Sequence, residues 1–370
     1  MSRVRQLALL AAAFGLIAWV DPKTAAPTVT KDAAAEEARR EMVYVLKARA
    51  RELHRVEAIA FRIEVANQDL CADRRPRLGM SWDTADGFST KSREAAIEAF
   101  QLGEGLTVTD IVAGGPAAGA GIQPGDVIVS LNGEAPPVGK AAAEKFAKRA
   151  AEVLNQSTLP VTFVVSRAGQ EKVIALTPVL ACAYAVAVED SPDINAFADG
   201  TSIHINRPML RLAATDEELA LVIAHELAHN GQHHIQAQAH NARILGVPGL
   251  LIDLAAAANG VDTHGAFTKA GVNYGRAHAA PAFEAEADYV GMYYMARAGY
   301  ATDGVEEFWR KMAVEAPEAI FIKSDHPPTP DRFLGIAAAA KEIEGKRAAG
   351  APLIPNQIAA QTARDPVMPP

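Results

Sequence analysis

The chain has 370 residues, of which 49% are hydrophobic and 22% charged, and a net charge of −8. That length exceeds one ordinary core and implies two domains, and the composition is that of a folded chain. The acidic balance, with no dense Lys/Arg block, argues against nucleic acid as the principal partner.

Met1-Ser2-Arg3-Val4-Arg5 precedes an apolar run from Leu7 to Val20 and then Asp21-Pro22-Lys23. A basic start followed by an apolar run shorter than the ~20 residues of a spanning helix reads as an export signal or a single-segment membrane tether over residues 1–26. The working protein is therefore expected in the periplasm or another extracytoplasmic space. Cys71 and Cys182 are the two cysteines of the chain, and in an oxidising compartment they are expected to pair. Residues 31–70 carry Met42, Val45, Leu46, Leu53, Val56 and Ile59 at helical spacing, which predicts one long helix or two.

From about Pro76 the punctuation changes to strands and Gly-rich turns. The passage Gly114-Gly115-Pro116-Ala117-Ala118-Gly119-Ala120-Gly121-Ile122-Gln123-Pro124-Gly125-Asp126-Val127-Ile128-Val129-Ser130-Leu131-Asn132-Gly133 reads as a short helix, a strand and an Asn-Gly turn. It resembles the middle of a PDZ domain. A helix from Gly139 to Leu154 and strands from Pro160 to Arg167 and from Glu171 to Pro178 complete the order such a domain would have over residues 76–180. By that resemblance Arg77-Leu78-Gly79-Met80 matches the carboxylate-binding loop. Leu78, Gly79 and Met80 would hold the C-terminal tail of a peptide that adds a strand to the sheet edge. Residues 83–105 read as a long insertion after that loop. Cys71 precedes the module and Cys182 follows it, so a disulfide between them would clasp the stem of an inserted domain.

Beyond Cys182, Ala183 to Glu189 and Thr201 to Asn206 read as two strands, with His204 facing solvent or a neighbouring strand. Thr215 and Glu218 predict a capping box that opens a helix, apolar from Leu219 to Ala228. His225-Glu226-Leu227-Ala228-His229 lies on that helix. Two histidines four apart share a face and can grip one metal ion, while Glu226 reaches a water on it. That is the core pattern of a zinc peptidase. His233 and His234 are expected to continue the same helix, His233 on the metal face, with supporting or solvated roles. Residues 244–258, apolar but broken by Gly and Pro, read as a helix covering the cleft. Another helix is predicted from about Pro281 to Ala298. On it Glu284 and Asp288 share a face and Glu286 points away, so the pair can supply a third ligand and its support. Residues 346–370 are expected to form a loose tail.

Asn195-Ala196-Phe197, the His225 to His229 motif, Glu284-Ala285-Glu286-Ala287-Asp288 and Ser324-Asp325-His326-Pro327-Pro328-Thr329-Pro330-Asp331-Arg332 occur in one particular order. That order resembles the HtpX-like zinc metallopeptidases, the family that also contains the CAAX prenyl endopeptidases. The resemblance covers about residues 181–345. It implies an α+β chain, with a mainly helical zincin-type metallopeptidase domain that holds a small β-hairpin or sheet and begins with the 31–70 helix, plus the inserted β-rich PDZ domain.

The same resemblance implies that one Zn2+ is bound by His225, His229 and Glu284, with Glu226 as general base. Asp288 would orient a ligand histidine, and His326 with Arg332 would support the reacting centre or the cleft, His326 being the candidate donor to the oxyanion. Pro281 departs from the basic residue many members carry, and the further spanning helices of membrane-embedded relatives have no counterpart in long apolar runs here. The expected protein is an exported endopeptidase for unfolded or misfolded envelope proteins, with a PDZ groove for C-terminal peptide tails. A PDZ-containing chaperone or binding protein without turnover is the alternative, and the intact Glu226 between two histidines argues against it.

Overall fold

The computed structural model describes residues 24, 26–156, 160–259, 261–320 and 329–357. The apolar run from Leu7 to Val20 and His326 lie outside the described residues.

Helix α1, Lys31–Ala66, is one continuous element. Its interior holds no Gly or Pro, and Thr30 caps it by accepting a hydrogen bond from Ala33 N. Val56, Ile59, Ala60 and Ile63 bury its second half in the main core. Asn67 ends the helix, its Nδ2 donating to Ile63 O and to Tyr294 O across the core.

Strands β1, Arg74–Arg77, and β7, Val179–Cys182, form an antiparallel ribbon in which Arg74 faces Cys182. A Cys71–Cys182 disulfide, with Cα atoms 5.6 Å apart, closes the base of that ribbon. Between the ribbon strands the chain forms β2 (Met80–Asp83), α2 (Arg93–Phe100), β3 (Thr107–Ile111), α3 (Pro116–Gly119), β4 (Val127–Leu131), α4 (Ala142–Gln156), β5 (Val161–Arg167) and β6 (Gln170–Leu176). The five strands order as β2-β3-β4-β5-β6, which leaves β2 at an edge. This unit has its own core around Leu106, Ile128, Phe146 and Phe163. The 83–105 insertion folds as a 3-10 turn and α2, and Ala85, Ala96 and Leu102 pack it against Leu46 of α1.

The remainder joins α1 in the main core. Strands β8 (Ala185–Glu189), β9 (Ala196–Ala198) and β10 (Ser202–Asn206) order as β8-β10-β9. β8 runs parallel to β10, and β9 runs antiparallel to it, a third strand in a stretch where the sequence pattern predicts two. Then follow α5 (Arg207–Leu212), α6 (Asp216–Gly231), α7 (His234–Ala258), α8 (Ala266–Arg297), α9 (Glu307–Glu315) and α10 (Pro330–Ala348). The Thr215/Glu218 capping box is present, and α6 is buried from Glu218 to Asn230. Its neighbour α8 crosses closely at Gly291, where an added Cβ would lie 3.1 Å from His225 N.

Four local expectations change. α6 stops at Gly231, and His233 adopts a left-handed φ of 57°, so neither His233 nor His234 continues it. α8 begins at Ala266 and runs through Pro281, because its first half is held by packing along α7. Residues 244–258 belong to the longer α7, whose narrow inner face touches α8 while its outer face is exposed. The end of the chain is fixed as far as Asn356, where Lys346 Nζ donates to Ile354 O and Asn356 Nδ2 donates to Glu342.

Candidate metal centre and peptide groove

α6 and α8 bring the first three candidate ligands together. His225 Nε2 and His229 Nε2 are 3.1 Å apart, and the Glu284 carboxylate lies 3.4 Å from the first and 3.3 Å from the second. One donor atom from each residue falls within 4.8 Å of the others, and all three residues are buried. Two imidazole nitrogens and a carboxylate oxygen form a donor set suited to a catalytic zinc with an open fourth position. Glu226 sits beside them, buried, and its Oε2 has no hydrogen-bond partner among the described residues. An unpartnered buried carboxylate oxygen is costly unless something at the site uses it, so it fits a metal centre with a water.

Each histidine is aimed from behind. His225 Nδ1 lies 2.9 Å from Asp288 Oδ1. Asp288 in turn takes a two-pronged contact from Arg332, Nε to Oδ2 at 2.7 Å and Nη2 to Oδ1 at 2.6 Å. Arg332 also reaches Glu284 Oε2 at 3.3 Å, and its guanidinium lies 4.0 Å over the Trp309 ring. For His229 the partner is His234, Nδ1 to Nδ1 at 3.0 Å, and His234 Nε2 lies 3.2 Å from Glu286.

The charges follow the geometry. Burial and the Arg332 cation both oppose protonation of His225, yet Asp288 and then Glu284 outweigh them and raise it to about 9. Burial lowers His229, and burial with the neighbouring His229 brings His234 down to about 4. Asp288 is held below the usual carboxylate range despite its burial, because Arg332 and His225 favour its charged form.

Sequence spacing alone does not show Trp309 or Asn230, nor that His234, not His233, backs a candidate ligand with Glu286 behind it. Asn230 Nδ2 donates to Ser202 O and its Oδ1 accepts from Gly200 N, which fixes the β9–β10 turn to the end of the metal helix. His204 bonds Glu189 and Asp199 and stacks on Phe197 at 4.6 Å, away from the ligands.

At the second candidate site Leu78 is buried, Gly79 has φ +70°, and Met80 opens the edge strand β2. A Cβ at Gly79 would lie 3.4 Å from the Phe61 ring of α1. Just before it, Arg77 pairs with Glu57 and Glu64 of α1 at 2.9 and 2.5 Å. Further along β2, Trp82 Nε1 donates to Ala143 O at the start of α4, with its ring edge-on to Phe146 at 5.1 Å. The candidate carboxylate loop therefore abuts α1. The same helix reaches the N-terminus of α6, where Arg55 bonds Asp216, Thr215 O and Ala213 O.

Residues 165–340 match the sequence profile of Peptidase family M48, and residues 77–165 match that of the PDZ domain. Over 131 residues the chain is 34% identical to the putative beta-barrel assembly-enhancing protease of Vibrio cholerae, covering 33% of this chain and 27% of that protein. Over 193 residues it is 28% identical to the mitochondrial metalloendopeptidase OMA1 of Schizosaccharomyces pombe, covering 51% of this chain and 56% of that one. The chain thus spans about a quarter of the first relative and just over half of the second. A crystal structure of the HtrA3 PDZ domain with a phage-derived ligand is 19% identical, at a TM-score of 0.22, over 29% of this chain and 88% of that one.

Proposed function

We propose that this chain, which carries a peptidase family M48 domain and a PDZ domain, is an exported zinc endopeptidase that cuts unfolded or misfolded envelope proteins. The observation that carries the reading is the convergence of His225, His229 and Glu284 beside Glu226, whose buried Oε2 has no partner among the described residues. A zinc ion held by those three residues would supply a Lewis acid for the scissile carbonyl. Glu226 takes a proton from the attacking water and delivers it to the leaving amine. Asp288 accepts from His225 Nδ1, which would leave Nε2 free to hold the metal, and Arg332 offsets the charge of Asp288 and Glu284 in the buried site. β9 lies at the edge of its three-stranded sheet, where an extended substrate can add as a further strand.

Leu78, Gly79 and Met80 are proposed to hold the C-terminus of a substrate or regulatory peptide against β2. α1 touches both that loop and the cap of the metal helix, which supports a link between groove and cleavage. The disulfide and the likeness to a beta-barrel assembly-enhancing protease support an envelope location.

The test is hydrolysis of an unfolded protein before chelation, after it, and after zinc is restored. A C-terminal peptide with a free or an amidated end is added in parallel. Loss and recovery of cleavage with zinc, and an effect of the free-ended peptide alone, are expected. Cleavage that survives chelation overturns the enzymatic reading, and indifference to both peptides overturns the role of the groove.

A further inference from the structure

The α7–α8 hairpin takes no part in the candidate metal centre beyond its two roots, His234 and the Glu284 turn, yet it carries a run of exposed large apolar side chains. Ile244, Val247, Leu250, Leu251, Ile252 and Leu254 are 46–62% exposed. From residue 244 to 261 the only charged side chain is Asp253. α7 is long and apolar enough to cross a membrane, and only 22% of its most apolar 18-residue window is buried, so it is not a core helix.

The hairpin is built inside out. The face of α7 that meets α8 is Ala242, Gly246, Gly249 and Asp253, at helical spacing. A Cβ added at Gly249 would collide with the Phe267 carbonyl, and one at Gly271 with the Leu245 carbonyl. The two helices thus touch backbone to backbone through small residues, and the large apolar side chains point outward. In water that arrangement wastes the hydrophobic effect, whereas in lipid, where side chains gain nothing by hiding, close packing through small residues is what holds helices together.

The one interior charge is also prepared for an apolar surrounding. Asp253 accepts from Thr263 Oγ1, from Thr268 N at 2.8 Å and Oγ1 at 2.6 Å, and from Phe267 N at 3.3 Å, so it caps the start of α8 from within the hairpin.

We propose that this hairpin seats the protein on a phospholipid bilayer, with the outer face of α7 buried at the boundary between headgroups and acyl chains. Charge favours that occupant. Residues 234–280 hold Arg243, Lys269 and Arg276 against Asp253 and Asp262, a net of +1 in a chain whose total is −8. Arg243 and Lys269 are exposed beside the apolar face, where long cationic side chains reach anionic headgroups. The polar tip, with exposed Asp262 and His264 paired to each other, and the exposed Lys269 and Asn273 on α8 favour lying in the interface over crossing it. Because α7 starts beside His229 and α8 carries Glu284, seating the hairpin would present the metal centre to chains at the membrane surface. This inference rests on residues outside the catalytic reading and stands or falls separately.

The test uses the full chain, whose native cysteines are joined to each other, so that one introduced thiol can be labelled. Leu251→Cys carries nitrobenzoxadiazole on the hairpin, and Val173→Cys, on a strand residue 75% exposed, is the control. With vesicles of phosphatidylethanolamine and phosphatidylglycerol, the probe at 251 should shift to the blue and be quenched by brominated acyl chains, and the probe at 173 should do neither. Leu250→Asp combined with Leu254→Asp should abolish the shift at 251 while leaving the circular dichroism spectrum and short-peptide hydrolysis unchanged. Protein that floats with the vesicles but shows no shift at 251, or that does not bind them, overturns the proposal. A shift that needs no lipid and grows with protein concentration assigns the face to a second copy of the chain and overturns it equally.

Discussion

His234 sets its Nδ1 3.0 Å from Nδ1 of His229, although His233, with a φ of 57°, separates the helices that carry the two rings. When His229 Nε2 faces a metal, its Nδ1–H donates to His234, and His234 Nε2–H donates to Glu286. That order gives every donor an acceptor.

Replacing His234 by Phe keeps a ring but removes this support, and zinc affinity is expected to fall roughly 10- to 100-fold. Glu286→Gln should do less, since 46% of that side chain is exposed. Chelator competition measures both. Equal affinity in wild type and His234→Phe would reduce the ring to its stacking on Phe283.

The crossing of α6 and α8 depends on the absence of a side chain at Gly291, 3.1 Å from His225 N and 3.2 Å from the Ala224 carbonyl by the position its Cβ would take. Gly291→Val should push the helices apart, destabilise by about 1–3 kcal/mol, and weaken zinc binding by moving Glu284 off the histidines. Urea unfolding and metal content are the readouts. A stable variant with full zinc would show that α8 can shift without disturbing the centre.

The disulfide joins residues 111 apart in sequence. Restricting the unfolded chain over such a loop contributes roughly 2–5 kcal/mol, so Cys71→Ser with Cys182→Ser should be less stable by that amount. Reductant should lower wild-type stability alike and leave the double variant unaffected. If the variant unfolds at the wild-type urea concentration, the β1–β7 ribbon alone holds the stem.

Glu64 is raised by burial to about 8 from an ordinary 4.5, against the opposing pull of Arg77 and Arg75. The folded chain therefore keeps a proton that the unfolded chain releases. Its contribution is fully present below pH 4.5 and is lost as pH rises to about 8. Glu64→Gln, neutral throughout, should match wild type near the low end of that window and exceed it near the high end by on the order of a few kcal/mol. Parallel stability curves for the two proteins across the window would contradict this.

The metal helix is legible in sequence because its signals are local: the Thr215/Glu218 box, the apolar run and the four-residue histidine spacing all act within one helix. The inserted unit is legible because its turns need particular residues, with Gly125, Asn132 and Gly133 all at positive φ. Tertiary effects are not legible in this way. Periodicity read through Gly231 puts His233 on the metal face, whereas the backbone reversal at His233 puts His234 there. Pro281 reads as a helix start, but packing along α7 carries α8 through it. Trp309, under Arg332, has no local pattern to announce it. The outer face of α7 is visible as apolar sequence, and only its pairing through Gly246, Gly249 and Gly271 shows that the apolar side is the outer one.

The most direct test of the central claim is zinc content and peptide hydrolysis measured together on Glu226→Gln and Glu284→Ala. In the proposed mechanism Glu226 serves the attacking water and Glu284 the metal, so the first variant should keep one zinc per chain and lose turnover, by at least ~100-fold, while the second should lose both. Turnover retained by Glu226→Gln, or full zinc and activity retained by Glu284→Ala, would contradict the account.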